Sequence, residues 1–171
     1  MAKAFLNRGN SIEPLCDLED YMSIHRRTWG FFISTFRRTQ TGIPMSQVKV
    51  MENVRLFALK AEVIIKGLLR MPNTDGWCII TAPRRRHKEQ HFATEVCKII
   101  SKDIGMPFYE NAVTCKNRDR FAPVFSLNAD IKERNIIIYD DIITTGITIQ
   151  CMISLLMDRN ILVVAGVNNK K

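Results

Sequence analysis

Residues 135–148 read N-I-I-I-Y-D-D-I-I-T-T-G-I-T, and this stretch decides the fold. Ile136, Ile137, Ile138 and Tyr139 are apolar on both faces, as a strand inside a parallel sheet requires. The strand ends in two carboxylates, Asp140 and Asp141. Two apolar residues follow, and then Thr144-Thr145-Gly146-Ile147-Thr148 opens a helix. A helix start presents unpaired N–H groups and the positive end of the dipole, which together favour an anion. Gly146 lets the backbone approach a ligand, and the threonine hydroxyls add donors. Carboxylates at the carboxyl end of such a strand lie at the mouth of an α/β crevice. A carboxylate pair for hydroxyls and a loop for phosphate, within a few residues, suit a sugar phosphate.

The flanking sequence fits one architecture. Residues 77–82, W-C-I-I-T-A, form a short apolar run stopped by Pro83 and read as a buried strand. Residues 89–103 are helical, with Phe92, Val96, Ile99 and Ile100 on one face and Gly105 as the stop. Residues 107–113 read as a strand, 147–158 as a helix and 161–167 as another buried strand. Strand, helix, strand, a long connection, then strand, helix, strand indicates an α/β, doubly wound, mostly parallel sheet with flanking helices. Upstream, Val50, Val54, Phe57, Ala61, Ile64 and Leu68 make a stripe at helical spacing over residues 47–70. Glu62 precedes Lys66 by four, a favourable surface pair. Trp29, Phe32 and Phe36 predict a further helix over residues 20–38. The expected division is a helical N-terminal region, residues 1–70, serving as hood or interface, and an α/β core, residues 71–171.

The chain has 171 residues, with 25 Lys+Arg against 17 Asp+Glu and a net charge of +8. Its size and 46% hydrophobic content suit one globular domain with a core of its own. The charge is spread evenly: 11 basic and 7 acidic side chains precede residue 76, and 14 and 10 follow. The basic residues cluster as Arg26-Arg27, Arg37-Arg38, Arg84-Arg85-Arg86 and Lys116/Arg118/Arg120, which favours discrete anion contacts over one polyanion track. Five cysteines in no ligand spacing exclude a disulfide framework and a zinc site. Cys78, Cys97 and Cys151 lie in apolar runs and read as core. With no apolar run of membrane length and no leader, the chain reads as cytoplasmic.

The segment 139–148 resembles the phosphoribosyl-diphosphate (PRPP) motif of the type I phosphoribosyltransferases. Residues 77–167 more loosely resemble the ComF-like group of that family, without its four-cysteine zinc element. The resemblance implies that Asp140 and Asp141 bind the ribose hydroxyls. It implies that Thr144, Thr145, Gly146, Ile147 and Thr148 wrap the 5′-phosphate. Pro83, Arg84 and Arg85 occupy the position of the diphosphate loop, where guanidinium groups suit the leaving group. Lys116, Arg118 and Arg120 fall where the family carries a mobile catalytic loop. Mg²⁺ would be held mainly through PRPP, with no dedicated protein ligand set. Thr144 stands where 6-oxopurine transferases carry an Asp, which points away from hypoxanthine or guanine as acceptor.

The implied activity is transfer of ribose 5-phosphate to a nitrogenous base or amine, with release of diphosphate. The implied assembly is a homodimer. A second reading is a regulator of the same fold that senses PRPP or nucleotides and binds nucleic acid. The paired arginines beside Trp29 and Phe31 motivate it.

Overall fold

The structure, a computed structural model, describes residues 18–38, 48–69, 74–83, 91–117, 119 and 122–169. Its centre is a six-stranded sheet in the order β1-β2-β8-β7-β3-β4. The strands are β1 (Leu18–Arg27), β2 (Gly30–Arg38), β3 (Trp77–Thr81), β4 (Phe108–Tyr109), β7 (Asn135–Ile143) and β8 (Asn160–Asn168). The pairs β2/β8, β8/β7, β7/β3 and β3/β4 are parallel, and only β1 runs antiparallel to its neighbour. Strands β5 (Val113–Cys115) and β6 (Phe125–Leu127) form a separate hairpin in the long connection. The sheet is thus the mostly parallel α/β sheet that residues 135–148 imply.

Two hydrophobic layers cover it. Helix α1 (Val54–Leu69) and helix α2 (Phe92–Ile104) pack on one face, against Ile33, Ile79, Ile137, Tyr139, Leu162 and Val164. Helix α3 (Ile147–Leu155) and the β5–β6 hairpin pack on the other, against Ile80, Ile136, Ile138, Ile161 and Val163. Rings fasten the first layer. Phe57 of α1 stands 5.1 Å from Phe36 on the sheet and 5.1 Å, edge-on, from Phe92 of α2. Such pairs add roughly 0.5–1.5 kcal/mol beyond area burial. Helix α2 ends at Gly105, in the left-handed conformation expected of a stop. Burial pushes the Cys78 thiol up to about 12 and the Cys97 thiol well above its usual value, so both act as core residues, not nucleophiles. No helix among the described residues is long and apolar enough to cross a membrane.

One expectation is overturned. Residues 20–38 are not a helix but the β1–β2 hairpin, turned by Thr28 and Trp29. The helical N-terminal region over residues 1–70 is therefore not what forms; within its described part, only α1 and a 3-10 turn at Met51–Asn53 are helical. The physical reason is the position of β2. It lies between β1 and β8, and Phe32 to Phe36 are buried without a break because both faces of the sheet are covered there. Trp29 and Phe32 belong to one layer and Phe36 to the other, so their spacing is not one face of a helix. The two strands also join the same sheet as residues 77–168, so no boundary near residue 70 divides the sheet.

Candidate functional site

The sheet has one topological switch point. From β3 the chain crosses through α2 to β4 on one side, and from β7 it crosses through α3 to β8 on the other. Strands β3 and β7 are neighbours, and the two connections leave on opposite faces. A crevice therefore opens beyond the carboxyl ends of β3 and β7, the usual ligand position in open α/β sheets. The Ala82 N–H donates to the Tyr139 carbonyl at 3.0 Å, which carries the ladder one residue past β3. Pro83 is buried directly after it. The chain thus leaves β3 next to Tyr139 and Asp140. Arg84 and Arg85 lie outside the described residues.

Strand β7 does not end at the carboxylates; it runs on to Ile143. Its side-chain alternation breaks on the way. Ile137, Tyr139 and then Ile142 face the α1/α2 layer, a step of two followed by a step of three. Leu162, Val164 and Val167 repeat that pattern on β8, and Ile33 and Phe36 show the same three-residue step on β2. All three strands break at one row, Thr35–Gly166–Asp141, between the pairs Ser34/Ala165/Asp140 and Phe36/Val167/Ile142. The Thr35 hydroxyl donates to the Gly166 carbonyl at 2.7 Å, and Gly166 lies against the Asp141 carbonyl. Because the strands shift together, the parallel ladder survives. Strand β1 absorbs the change as a register shift between Asp20 and Ser23.

This row sets the two carboxylates. Asp141 is buried, and Lys49 Nζ meets both of its oxygens, Oδ1 at 2.7 Å and Oδ2 at 2.6 Å. Lys49 was missed in the sequence. It sits in the turn before α1, beside the fully buried Val48. Buried Asn53 holds that turn by donating its amide to the Val48 carbonyl at 3.0 Å. Nothing near Lys49 marks it; a lysine before a helix is common, and only the fold joins it to a residue 92 positions away. Asp140 is part-buried, and burial holds its carboxyl well above the usual carboxylate range. The neighbouring Asp141 charge adds to this, and the Lys49 ammonium opposes it.

The Asp140 shift has a sign that can be measured. A carboxyl raised on folding binds more protons in the native state, so stability falls as pH rises from the ordinary carboxylate value (~3.9) through the folded one. Asp140→Asn removes that cost. Thermal unfolding at pH 7 should show the variant more stable by on the order of 1 kcal/mol, or about 2–4 °C. The gain should vanish near pH 4. An equal difference at both pH values would contradict the burial of this carboxyl.

The phosphate-loop residues stand where the strand turns into α3. Thr144 and Thr145 are exposed, and Gly146 takes a left-handed conformation (φ 81°) as the residue before the helix. The Ile147 N–H donates to the Thr145 hydroxyl at 3.4 Å, and the Gln150 N–H to the Gly146 carbonyl at 3.0 Å. Ile147 and Thr148 form the first turn. Asp140, Asp141 and residues 144–148 thus come together at the switch point, with Pro83 across from them. Lys116 is exposed at the end of β5, its N–H donating to the Val124 carbonyl at 2.7 Å. Arg118 and Arg120 lie outside the described residues.

No protein-family model matches the sequence, and no curated protein matches it. Solved structures do. A hypoxanthine phosphoribosyltransferase from Trypanosoma cruzi, a point mutant complexed with the product IMP, superposes at a TM-score of 0.50 with 14% identity, over 68% of this chain and 64% of that one. A hypoxanthine phosphoribosyltransferase from Staphylococcus aureus gives 0.49 with 12% identity, over 71% and 68%. Orotate phosphoribosyltransferase from Aeropyrum pernix gives 0.48 with 16% identity, over 84% and 71%. A mostly parallel sheet with this switch point and these flanking helices, superposing on the trypanosomal enzyme, is the fold of the type I phosphoribosyltransferases.

Proposed function

We propose that this chain is a phosphoribosyltransferase. It binds PRPP with Mg²⁺ and transfers ribose 5-phosphate to a nitrogenous base or amine, releasing diphosphate. One observation carries the reading: the Asp140–Thr148 segment sits at the switch point of a phosphoribosyltransferase-type sheet, with both carboxylates and the Thr-Thr-Gly turn at the same strand end. The looser likeness of residues 77–167 to the ComF-like group suggests that subfamily.

In this reading the two carboxylates divide their work. Asp141 already spends both oxygens on Lys49, so Asp140 accepts from the ribose hydroxyls while Asp141 fixes the strand end. Thr144, Thr145, Gly146, Ile147 and Thr148 hold the 5′-phosphate at the N-terminus of α3. The acceptor nitrogen attacks the ribose C1, the C1–O bond to diphosphate breaks, and positive charge builds on the ring. The partly buried carboxylate beside the ring favours that charge. Arg84 and Arg85, following Pro83, meet the leaving diphosphate. Lys116, Arg118 and Arg120 on the β5–β6 connection close over it and exclude water. One carboxylate not engaged by a lysine is a donor set that fits Mg²⁺, which keeps most of its ligands from substrate and water. When bound, the ion neutralises diphosphate charge.

The test is thermal unfolding with PRPP and Mg²⁺. At a hundredfold excess over Kd the wild type should gain about 2.7 kcal/mol of stability, and Asp140→Asn with Asp141→Asn should show no gain. A flat wild-type response would overturn the proposal. Diphosphate release in a screen of bases and amines then identifies the acceptor. Binding without release from any acceptor would favour the regulatory reading.

A further inference from the structure

Glu62 and Lys66 read as a surface pair in the sequence, but α1 turns Glu62 inward. The Glu62 side chain is 5% exposed against 45% for Lys66, and the ammonium stands 3.5 Å from Oε2. That is long for an ion pair, since charge-assisted bonds run to about 2.7–2.9 Å. The other oxygen, Oε1, is buried and has no hydrogen-bond partner. A buried carboxylate without donors on its oxygens bears the full cost of lost hydration. A carboxylic acid avoids that cost, because it has an O–H of its own to give.

An acceptor stands on the facing helix. The Glu62 carboxyl is in hydrogen-bonding contact with the carboxyl of Asp103, in the last turn of α2. Two ionised carboxylates cannot share a hydrogen bond, so one of them holds a proton. Asp103 is held below the usual carboxylate range, first by the hydrogen bond from Arg55, whose Nη1 meets Oδ2 at 2.5 Å. Glu62 is pushed the other way, by burial first and then by the Asp103 charge, with Lys66 and Arg55 opposing. Among the described residues, the charged groups facing Glu62 are thus Arg55 and Lys66 on its own helix and Asp103 on α2, with Lys102 beside Asp103. Strands β2 and β8 present apolar side chains to α1, among them Ile33, Phe36, Leu162 and Val164.

We infer that Glu62 is a proton-carrying latch between α1 and α2: its O–H donates to Asp103, which in turn accepts from Arg55 near the start of α1. Loss of that proton sets two carboxylates against each other in a buried seam and loosens it. Helix α1 bears on the site, because Phe57 lies against Gly166 and the turn before the helix holds Lys49 against Asp141. The latch makes the packing behind Asp141 sensitive to pH, independently of what the site binds.

Glu62→Gln tests it, because an amide N–H offers Asp103 a donor at every pH. A carboxyl raised on folding contributes stability below its unfolded value (~4.3) and loses it as pH rises through the folded one. Wild type and variant should therefore melt together near pH 4, and at pH 8 the variant should melt about 2–4 °C higher. Asp140 is common to both proteins, so its own titration cancels in the difference. In an Asp103→Asn background the pH-dependent gap should be smaller, since the charge facing Glu62 is gone. Amide protection in residues 54–58 and 100–104 should fall between pH 5 and pH 8 in the wild type and hold in Glu62→Gln. A gap equal at both pH values, a gap untouched by Asp103→Asn, or protection that falls alike in both proteins would each overturn the latch. If Glu62→Gln does not fold, carbon NMR of the wild type decides. The Glu62 carboxyl should titrate above the range of exposed glutamates, and titration within that range would overturn the inference.

Discussion

Gly166→Ala is expected to lower stability by about 2–3 kcal/mol and to weaken ligand binding with it. A Cβ at position 166 would stand 2.6 Å from the Asp141 carbonyl oxygen and 2.6 Å and 2.7 Å from two ring carbons of Phe57. Neither neighbour moves freely. Phe57 is fully buried between Phe36 and Phe92, and the Asp141 carbonyl belongs to the central strand. Overpacking a filled core typically costs ~1–3 kcal/mol, and this contact falls at the upper end because two rigid groups are struck at once. The lower chain entropy of alanine in the unfolded state recovers ~0.4–1 kcal/mol, and the figure above includes it. Denaturant unfolding measures the loss. Phe57→Leu added to Gly166→Ala should recover the part due to the ring and leave the part due to the carbonyl. Because the carbonyl belongs to Asp141, the double variant should still give a reduced PRPP–Mg²⁺ shift. A stability equal to the wild type would mean that the Thr35–Gly166–Asp141 row is not tight.

That row also explains what could be read in the sequence and what could not. Residues 135–148 carry a local signal, an apolar strand, two carboxylates and a turn into a helix, and the structure brings them to the switch point. The apolar runs at 77–82 and 161–167 are legible for the same reason: a strand buried on both faces needs no tertiary information to look buried. Residues 20–38 are different. The in-step break spaces Ile33 and Phe36 three apart on one face of a strand, a spacing that belongs to helices. The contrary signals were compositional: Phe31, Phe32, Ile33, Thr35 and Phe36 are aromatic or β-branched, and Gly30 follows a short polar turn. The length of β7 is not legible locally either, since Asp140 and Asp141 look like a strand end until Lys49 and the row beside them are seen. Lys49 has no local signal at all, because its role exists only in the packed state.

Lys49→Met should destabilise the protein by about 2–3 kcal/mol at neutral pH. Removing one partner of a fully buried ion pair costs ~3–5 kcal/mol, because the remaining charge loses both its partner and water. Here Asp141 is 6% exposed but Lys49 is 39% exposed, so solvent screens the pair and the cost falls below that range. Asp141→Asn alone should cost less, since it removes the buried charge along with the attraction. In the double variant the buried charge is gone, and at least half of the loss from Lys49→Met should return. A coupling energy under 0.5 kcal/mol in that cycle would show that the pair contributes little to the strand end. The pH dependence separates this account from simple loss of packing. Lys49 also holds the Asp140 carboxyl down against burial and the Asp141 charge. Without it, Asp140 rises further above its unfolded value, the pH window in which the native state holds the extra proton widens, and stability falls more steeply as pH rises. The deficit of Lys49→Met against the wild type should therefore be larger at pH 8 than at pH 5, whereas a packing defect would give the same deficit at both. The same lysine that makes two adjacent carboxylates tolerable at the end of a buried strand thus also sets how readily Asp140 carries the negative charge that the proposed ribose contact requires.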